Sequence, residues 1–247
     1  MDAGLSSNVV FALESARVAD RTFVLADQAF TSAQLQKIQT ILCSDKTTFS
    51  APGELSYFDS AASLTETTAG LLWSENQVIS KAKNYLNELG LLPQDNYMIR
   101  TSKAVREELD LVNGTAGPKE IVSWTVRFYQ TINDVPILSA DDAGIVMRIT
   151  QNGLFSLQYN WKTILSAEKI TVSEAGRSNV FLEQDMMEQY CALVNADEIS
   201  PHTNVCYRQV YLYLDGIATP AWVFGTGDAF VNSVYFNAIT GERITVN

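Results

Sequence analysis

Histidine is nearly absent from this chain of 247 residues: His202, in the loop Ser200-Pro201-His202-Thr203, is the only one. No nucleophile in a recognisable motif lies near it, so a solvated loop histidine is the better reading than a general base. Cysteine is scarce too. Cys43, Cys191 and Cys206 form no CxxC pair, and an odd count argues against a disulfide framework. A Cys191–Cys206 bridge is sterically conceivable, but semi-buried free thiols fit the usage better. One histidine and scattered cysteines supply no transition-metal set, and the expected cofactor and metal complement is none.

Positive charge is also short. Seventeen Lys and Arg face 28 Asp and Glu, a formal net charge of -11. No basic patch is clustered along the chain, which argues against nucleic acid and anionic lipid as partners. No run of about 18 apolar residues is present, so no segment reads as a membrane span. The start, MDAGLSSNVV, has no basic n-region followed by an apolar stretch. Taken literally that means cytosol; with a leader or anchor already removed it is silent on compartment.

Apolar and aromatic residues are plentiful, at 47% and 10% of the chain, enough for a sizeable core. The clearest organisation lies between Ile121 and Ile164. Val122, Trp124, Val126, Phe128 and Ile132 alternate with Ser123, Thr125, Arg127, Tyr129 and Thr131, the period of a strand with one wet face. Asn133-Asp134 turns the chain, and Pro136 predicts that Val135–Leu138 is an edge strand or a bulge. Ile145, Met147 and Ile149, the hairpin signal Asn152-Gly153, then Phe155, Leu157, Tyr159 and Trp161 continue the inner face.

Three helices are predicted. Thr31 to Cys43 opens with a capping box, Thr31 with Gln34, and a staple, Phe30 with Leu35; Leu35, Ile38, Ile41 and Leu42 share a face. Residues 74–89 open with Ser74 and Gln77, bury Val78, Ala82 and Leu86, and stop at Gly90. Val180 to Asn195 is the third, with Leu182, Met186, Tyr190, Leu193 and Val194 on one side. Short strands are expected at Val9–Leu13 and Thr22–Leu25, a hairpin around Pro52-Gly53, and extended structure from Met98 to Leu111. A second meander is expected from Val205 to Val246, with turns at Asp215-Gly216 and Ala238-Ile239-Thr240-Gly241. Ser60 to Gly70 is the candidate linker.

The paired acids Glu107-Glu108, Asp141-Asp142 and Asp197-Glu198 are adjacent in sequence, so on a strand they point to opposite faces and suit turns better than acid–base work. Asp141-Asp142-Ala143-Gly144 lacks the alternating oxygens of a calcium loop. Gly225-Thr226-Gly227-Asp228 joins two strands, and no helix N-terminus follows to receive a phosphate. Asn113-Gly114-Thr115 matches a glycosylation sequon, a weak three-residue signal. Trp124, Trp161 and Trp222 read as core. No catalytic residue is assigned.

The stretch Trp124 to Ile137, with Asn133 and Pro136 at its turn, resembles the strand–turn–Pro–strand signature of PepSY-like domains. Those domains occur in propeptides of thermolysin-type proteases and in YycH- and YycI-type extracytoplasmic regulators of a Gram-positive sensor kinase. Tyr213 to Gly216, Pro220 to Trp222 and Tyr235 to Glu242 extend the resemblance over roughly residues 74–247. Asp134 stands where Gly is usual and Asn237 where Asp is usual. The resemblance implies an α+β fold of tandem PepSY/cystatin-like units, each a helix packed on an antiparallel meander. The expected domains are an N-terminal α+β segment at 1–70, a first unit at 71–170 and a second at 171–247. It further implies a non-catalytic, extracytoplasmic protein, secreted or tethered, whose partner is another envelope protein such as a sensor domain or protease. Two other classes stay open: a surface module that binds peptide or wall polymer, expected to show a groove of exposed aromatics, and an enzyme, expected to show a deep pocket with perturbed carboxylates.

Overall fold

The structure, a computed structural model, describes residues 10–14, 18, 21–62, 71–94, 96–107, 109–110, 113–139, 144–169, 183–196, 198–199, 204–226 and 231–245. In chain order these form strands β1 (Val10–Glu14) and β2 (Arg21–Asp27), helix α1 (Ser32–Ile41), and the hairpin β3 (Thr47–Ala51) and β4 (Glu54–Phe58). Helix α2 (Glu75–Leu89), β5 (Tyr97–Arg106) and the short pair β6 (Leu109–Asp110) and β7 (Thr115–Ala116) follow. Next come β8 (Glu120–Ile132), β9 (Val135–Ser139), β10 (Gly144–Thr150), β11 (Gly153–Asn160) and β12 (Lys162–Lys169). The last elements are helix α3 (Glu183–Asn195), β13 (Asn204–Leu214), β14 (Ile217–Thr226), β15 (Val231–Asn237) and β16 (Arg243–Ile244). The predicted linker falls mostly outside the described residues; its first three form a 3-10 turn, Ser60–Ala62.

The chain condenses into two units, each from discontinuous stretches. Unit 1 takes Met1–Ala26, Thr131–Asp141 and Ile164–Asn247, and unit 2 takes Asp27–Gln130 and Asp142–Thr163. These differ from a division at 1–70, 71–170 and 171–247. The expected α+β fold of tandem helix-on-meander units is also incorrect. Strands dominate, the pairing is mixed, and β13 runs parallel to both β1 and β9. The N-terminal stretch is no separate segment, since it lends β1 and β2 to unit 1 and α1, β3 and β4 to unit 2. Period-2 patterns identify strands, but they carry no information on which distant strand pairs with which, or in what direction.

In unit 2 the strand order is β8-β10-β11-β4-β3, with β5 on the other side of β8. The inner face carries Trp124, Val126, Phe128, Ile145, Met147, Ile149, Leu157 and Tyr159, and the core they form includes Val78, Ala82, Leu86 and Leu89 of α2. Both helix starts are as the sequence predicts. Thr31 and Ser74 accept from the amides of Gln34 and Gln77, and each glutamine side chain returns to the cap backbone. Gly90 ends α2 in the left-handed region at φ 71°, and Gln34 Nε2 donates to its carbonyl at 3.0 Å. Ile41, expected on the buried side of α1, is exposed instead.

In unit 1 the order is β12-β2-β14-β13-β9, with β1 on β13 and β15 and β16 continuing from β14. Its core is aromatic. Tyr190 of α3 stacks on Phe224 at 5.0 Å, Tyr207 stacks on the same ring at 5.5 Å, and Phe236 meets it edge-on at 5.8 Å. Asn133 and Asp134 both take positive φ, 50° and 66°, the hairpin turn whose twist matches the strands. The strand after it is not the edge or bulge that Pro136 predicts. Thr131 and Ile132, the end of β8, pair with β9 on one side and β13 pairs on the other, and Val135 to Leu138 are all buried. The proline is tolerated because the ladder to β13 begins one residue later, at Ile137.

Candidate functional site

The residues weighed for chemistry do not assemble into a site. His202, Asp141, Asp142, Glu108, Asp197, Gly227 and Asp228 lie outside the described residues. Glu107 faces Lys119 at 3.8 Å, and Glu198 pairs with Arg243 at 3.1 Å. Trp124, Trp161 and Trp222 are buried, in accord with a core role. Cys43, Cys191 and Cys206 are free thiols; burial pushes the Cys191 thiol up. Among the described residues no group of three or more His, Cys, Asp or Glu is placed to hold a metal ion.

One polar cluster that the sequence does not announce sits inside unit 2. The Lys162 side chain is 5% exposed and meets Asp27 Oδ1 at 2.5 Å and Glu54 Oε1 at 3.6 Å. Its backbone is held by the Gln130 amide, whose Nε2 donates to the Lys162 carbonyl at 2.8 Å and whose Oε1 accepts from Lys162 N at 3.2 Å. A buried ammonium flanked by two carboxylates is satisfied in place, so this cluster pins β12 to β8 and leaves no amine poised for covalent chemistry. A second knot closes β4. Asp59 accepts from Lys46 Nζ at 2.7 Å, from the Ala61 amide at 2.9 Å and from Tyr57 Oη at 3.3 Å, and the Lys46 bond holds its carboxyl below the usual range.

The outward face of unit 2's sheet has a different character. Arg100 of β5 lies directly opposite Arg127 of β8, and on the neighbouring strand β10 Arg148 lies opposite Thr125, two residues along β8 from Arg127. Described positions flanking the arginines on this face are Ser102, Thr125, Val146, Ser156 and Gln158, and Glu54 shares the face of β4 with Phe58. Arg148 donates to Ser123 Oγ at 3.2 Å, and its guanidinium lies 5.2 Å from the centre of the Phe155 ring. Phe155 meets Phe58 edge-on at 4.9 Å, and Phe58 remains 55% exposed. Three cations and two rings thus gather in a chain of net charge -11. These arginines are not clustered along the chain: 48 positions separate the first from the last, and only the sheet register brings them together. The available signal was the wet-face position of Arg127 and of Arg148 in their alternating strands.

A shallow depression on unit 2 is lined by Trp73, Asn76, Gln77, Ser80 and Lys81, at the start of α2. Lys81 Nζ sits 4.4 Å above the Trp73 ring, and Leu72 beside it is 97% exposed. The depression is no deep pocket, and it holds no carboxylate.

No helix of the described residues is long and apolar enough to cross a membrane. No family model matches the chain, and no curated protein matches it significantly. Among solved structures, an uncharacterized protein from Eubacterium rectale is similar, with a TM-score of 0.50 and 9% sequence identity over 98% of this chain and 92% of that one. At that identity the likeness speaks for the fold alone.

Proposed function

We propose that this chain is a non-catalytic docking module that binds another protein through the outward sheet face of unit 2. The observation that carries the proposal is the arginine and phenylalanine cluster on that face, Arg100, Arg127, Arg148, Phe58 and Phe155. Arginine and exposed aromatic rings are the residue types that dominate binding energy at protein interfaces. Lys162 and Asp59, by contrast with an exposed face, serve the fold: each is held in a structural ion pair. The resemblance of the chain's turn motifs to those of PepSY-like domains is what motivates setting the partner outside the cytoplasm, as a sensor domain, a protease or another envelope protein.

The test places a photo-crosslinking residue at Gln158, on the proposed face, or at Glu88, on the exposed side of α2. The expected result is one protein, identified by mass spectrometry, crosslinked from Gln158 and not from Glu88. Equal crosslinking from both positions would remove the face from the reading. In parallel the chain is screened for hydrolase activity beside His202→Ala and Asp141→Asn/Asp142→Asn variants. Turnover that any of these substitutions abolishes would overturn the non-catalytic reading.

A further inference from the structure

Two Asn-Gly pairs occur in the sequence, Asn113-Gly114 and Asn152-Gly153, and both asparagines are exposed. In such a pair the backbone nitrogen of the glycine can close on the asparagine side-chain carbon, because glycine carries no side chain to shield it. The structure places the two glycine nitrogens in different settings. Gly153 opens β11 opposite Thr150 of β10, so its N–H closes the hairpin turn on the Thr150 carbonyl. Asn152 is held as well: its backbone amide donates to Thr150 Oγ1 at 3.1 Å, and Thr150 Oγ1 donates to the Ala62 carbonyl at 2.9 Å. Gly114 has no such place. β6 and β7 pair through Leu109 with Ala116 and Asp110 with Thr115, and Gly114 stands outside that ladder at φ 65°.

We propose that Asn113 is a site of spontaneous modification, converting through a cyclic imide to an aspartyl or isoaspartyl group, while its hairpin protects Asn152. The Gly114 nitrogen, after losing its proton to hydroxide, attacks Cγ of Asn113. A C–N bond forms, the Cγ–Nδ2 bond breaks, and Nδ2 takes up a proton and leaves as ammonia. Water then opens the ring at either carbonyl. The net change is amide plus water to carboxylic acid plus ammonia, with nothing oxidised or reduced. Two features of the fold favour Asn113. The β6–β7 pair is a two-stranded sheet by itself, and such a hairpin is marginal and opens readily. A Cβ at Gly114 would meet nothing within 4 Å, so the surroundings leave room for the ring. Asn113 makes a further interaction, and the rate is set by the glycine nitrogen rather than by a free side chain. The product adds a negative charge to a chain already at -11 and, as isoaspartyl, inserts a methylene that disturbs the β6–β7 register. This chemistry is independent of the docking reading.

The test incubates the full chain at neutral and at mildly alkaline pH and follows both sites by peptide mapping with mass spectrometry, with isoaspartyl groups counted by enzymatic methylation. A parallel sample is held in urea, where neither turn persists. The expected result in the folded chain is loss of the Asn113 amide about fivefold or more faster than that of Asn152, the factor by which one turn hydrogen bond protects Gly153. Both rates should rise with pH, and in urea the two should converge. Asn113→Gln should remove the faster signal and leave the Asn152 rate unchanged. Gly114→Ala, with its fold verified by thermal unfolding, should slow the reaction at Asn113. Equal rates in the folded chain, faster loss at Asn152, no loss at Asn113, or a difference that persists unchanged in urea overturns the assignment.

Discussion

A phenol that burial has separated from water holds its proton more tightly, and Tyr159 shows how much. It lies on the inner face of β11 in the core of unit 2, and desolvation pushes its pKa from 10.0 up to about 12. Between those values the folded state keeps a proton that the unfolded state has released. The stabilisation is therefore whole below pH 10 and is lost as pH rises through 12, a change of about 3 kcal/mol for two pKa units. Burial raises Tyr57 and Tyr190 as well, so they act in the same direction. Urea midpoints measured at about pH 9 and about pH 11 should fall steeply in the parent chain and less in Tyr159→Phe. An equal fall in both would mean that Tyr159 ionises as an exposed tyrosine does. The alternation of β11 marked Tyr159 as inward. The lock around Lys162 was not legible, because Asp27, Glu54 and Gln130 reach it from three separate strands.

At the scale of elements, legibility follows range. A capping box needs four consecutive residues, and both boxes are where the sequence places them. The turns at Asn133-Asp134 and Asp215-Gly216 are equally local, and their positive φ values follow from their residue types. The interior place of β9 depends on β13, which begins 65 positions after β9 ends, and no local pattern reports that pairing. Close approaches between strands are also hidden in the sequence. Gly144 opens β10 at φ 121°, and a Cβ there would lie 2.4 Å from the Phe128 carbonyl oxygen. Gly144→Ala then combines a backbone conformation foreign to alanine with a collision against a paired strand, and should cost about 2 kcal/mol or more. Gly114 has φ 65° and nothing within 4 Å of its Cβ position, so Gly114→Ala should cost only the backbone strain of about 1–2 kcal/mol, less than Gly144→Ala. Thermal unfolding of the two variants compares them directly. Equal losses would show that the contact with Phe128 is not what requires glycine.

For the whole molecule the governing fact is how often the chain changes unit. It passes between them after Ala26, Gln130, Asp141 and Thr163, so neither unit is a single run of sequence. The PepSY-like resemblance begins near residue 74 and leads to a domain at 71–170. That span omits α1, β3 and β4, and with them Ile38, Leu42, Leu55 and Tyr57 of unit 2's core. It also strips β11 of the partner that sets Leu157 opposite Tyr57. Loss of one such apolar side chain costs about 2–5 kcal/mol. Four lost together, with a bared strand edge, come to about 8–20 kcal/mol, as large as the whole stability of about 5–15 kcal/mol of an ordinary domain. A fragment of residues 71–170 should therefore give poor amide dispersion in NMR spectra and no cooperative melt. A fragment of residues 27–163 holds all of unit 2, including Asp27 and Glu54 for Lys162, and should melt cooperatively. Cooperative melting of 71–170 would show that the N-terminal strands are dispensable additions and that the core closes without them.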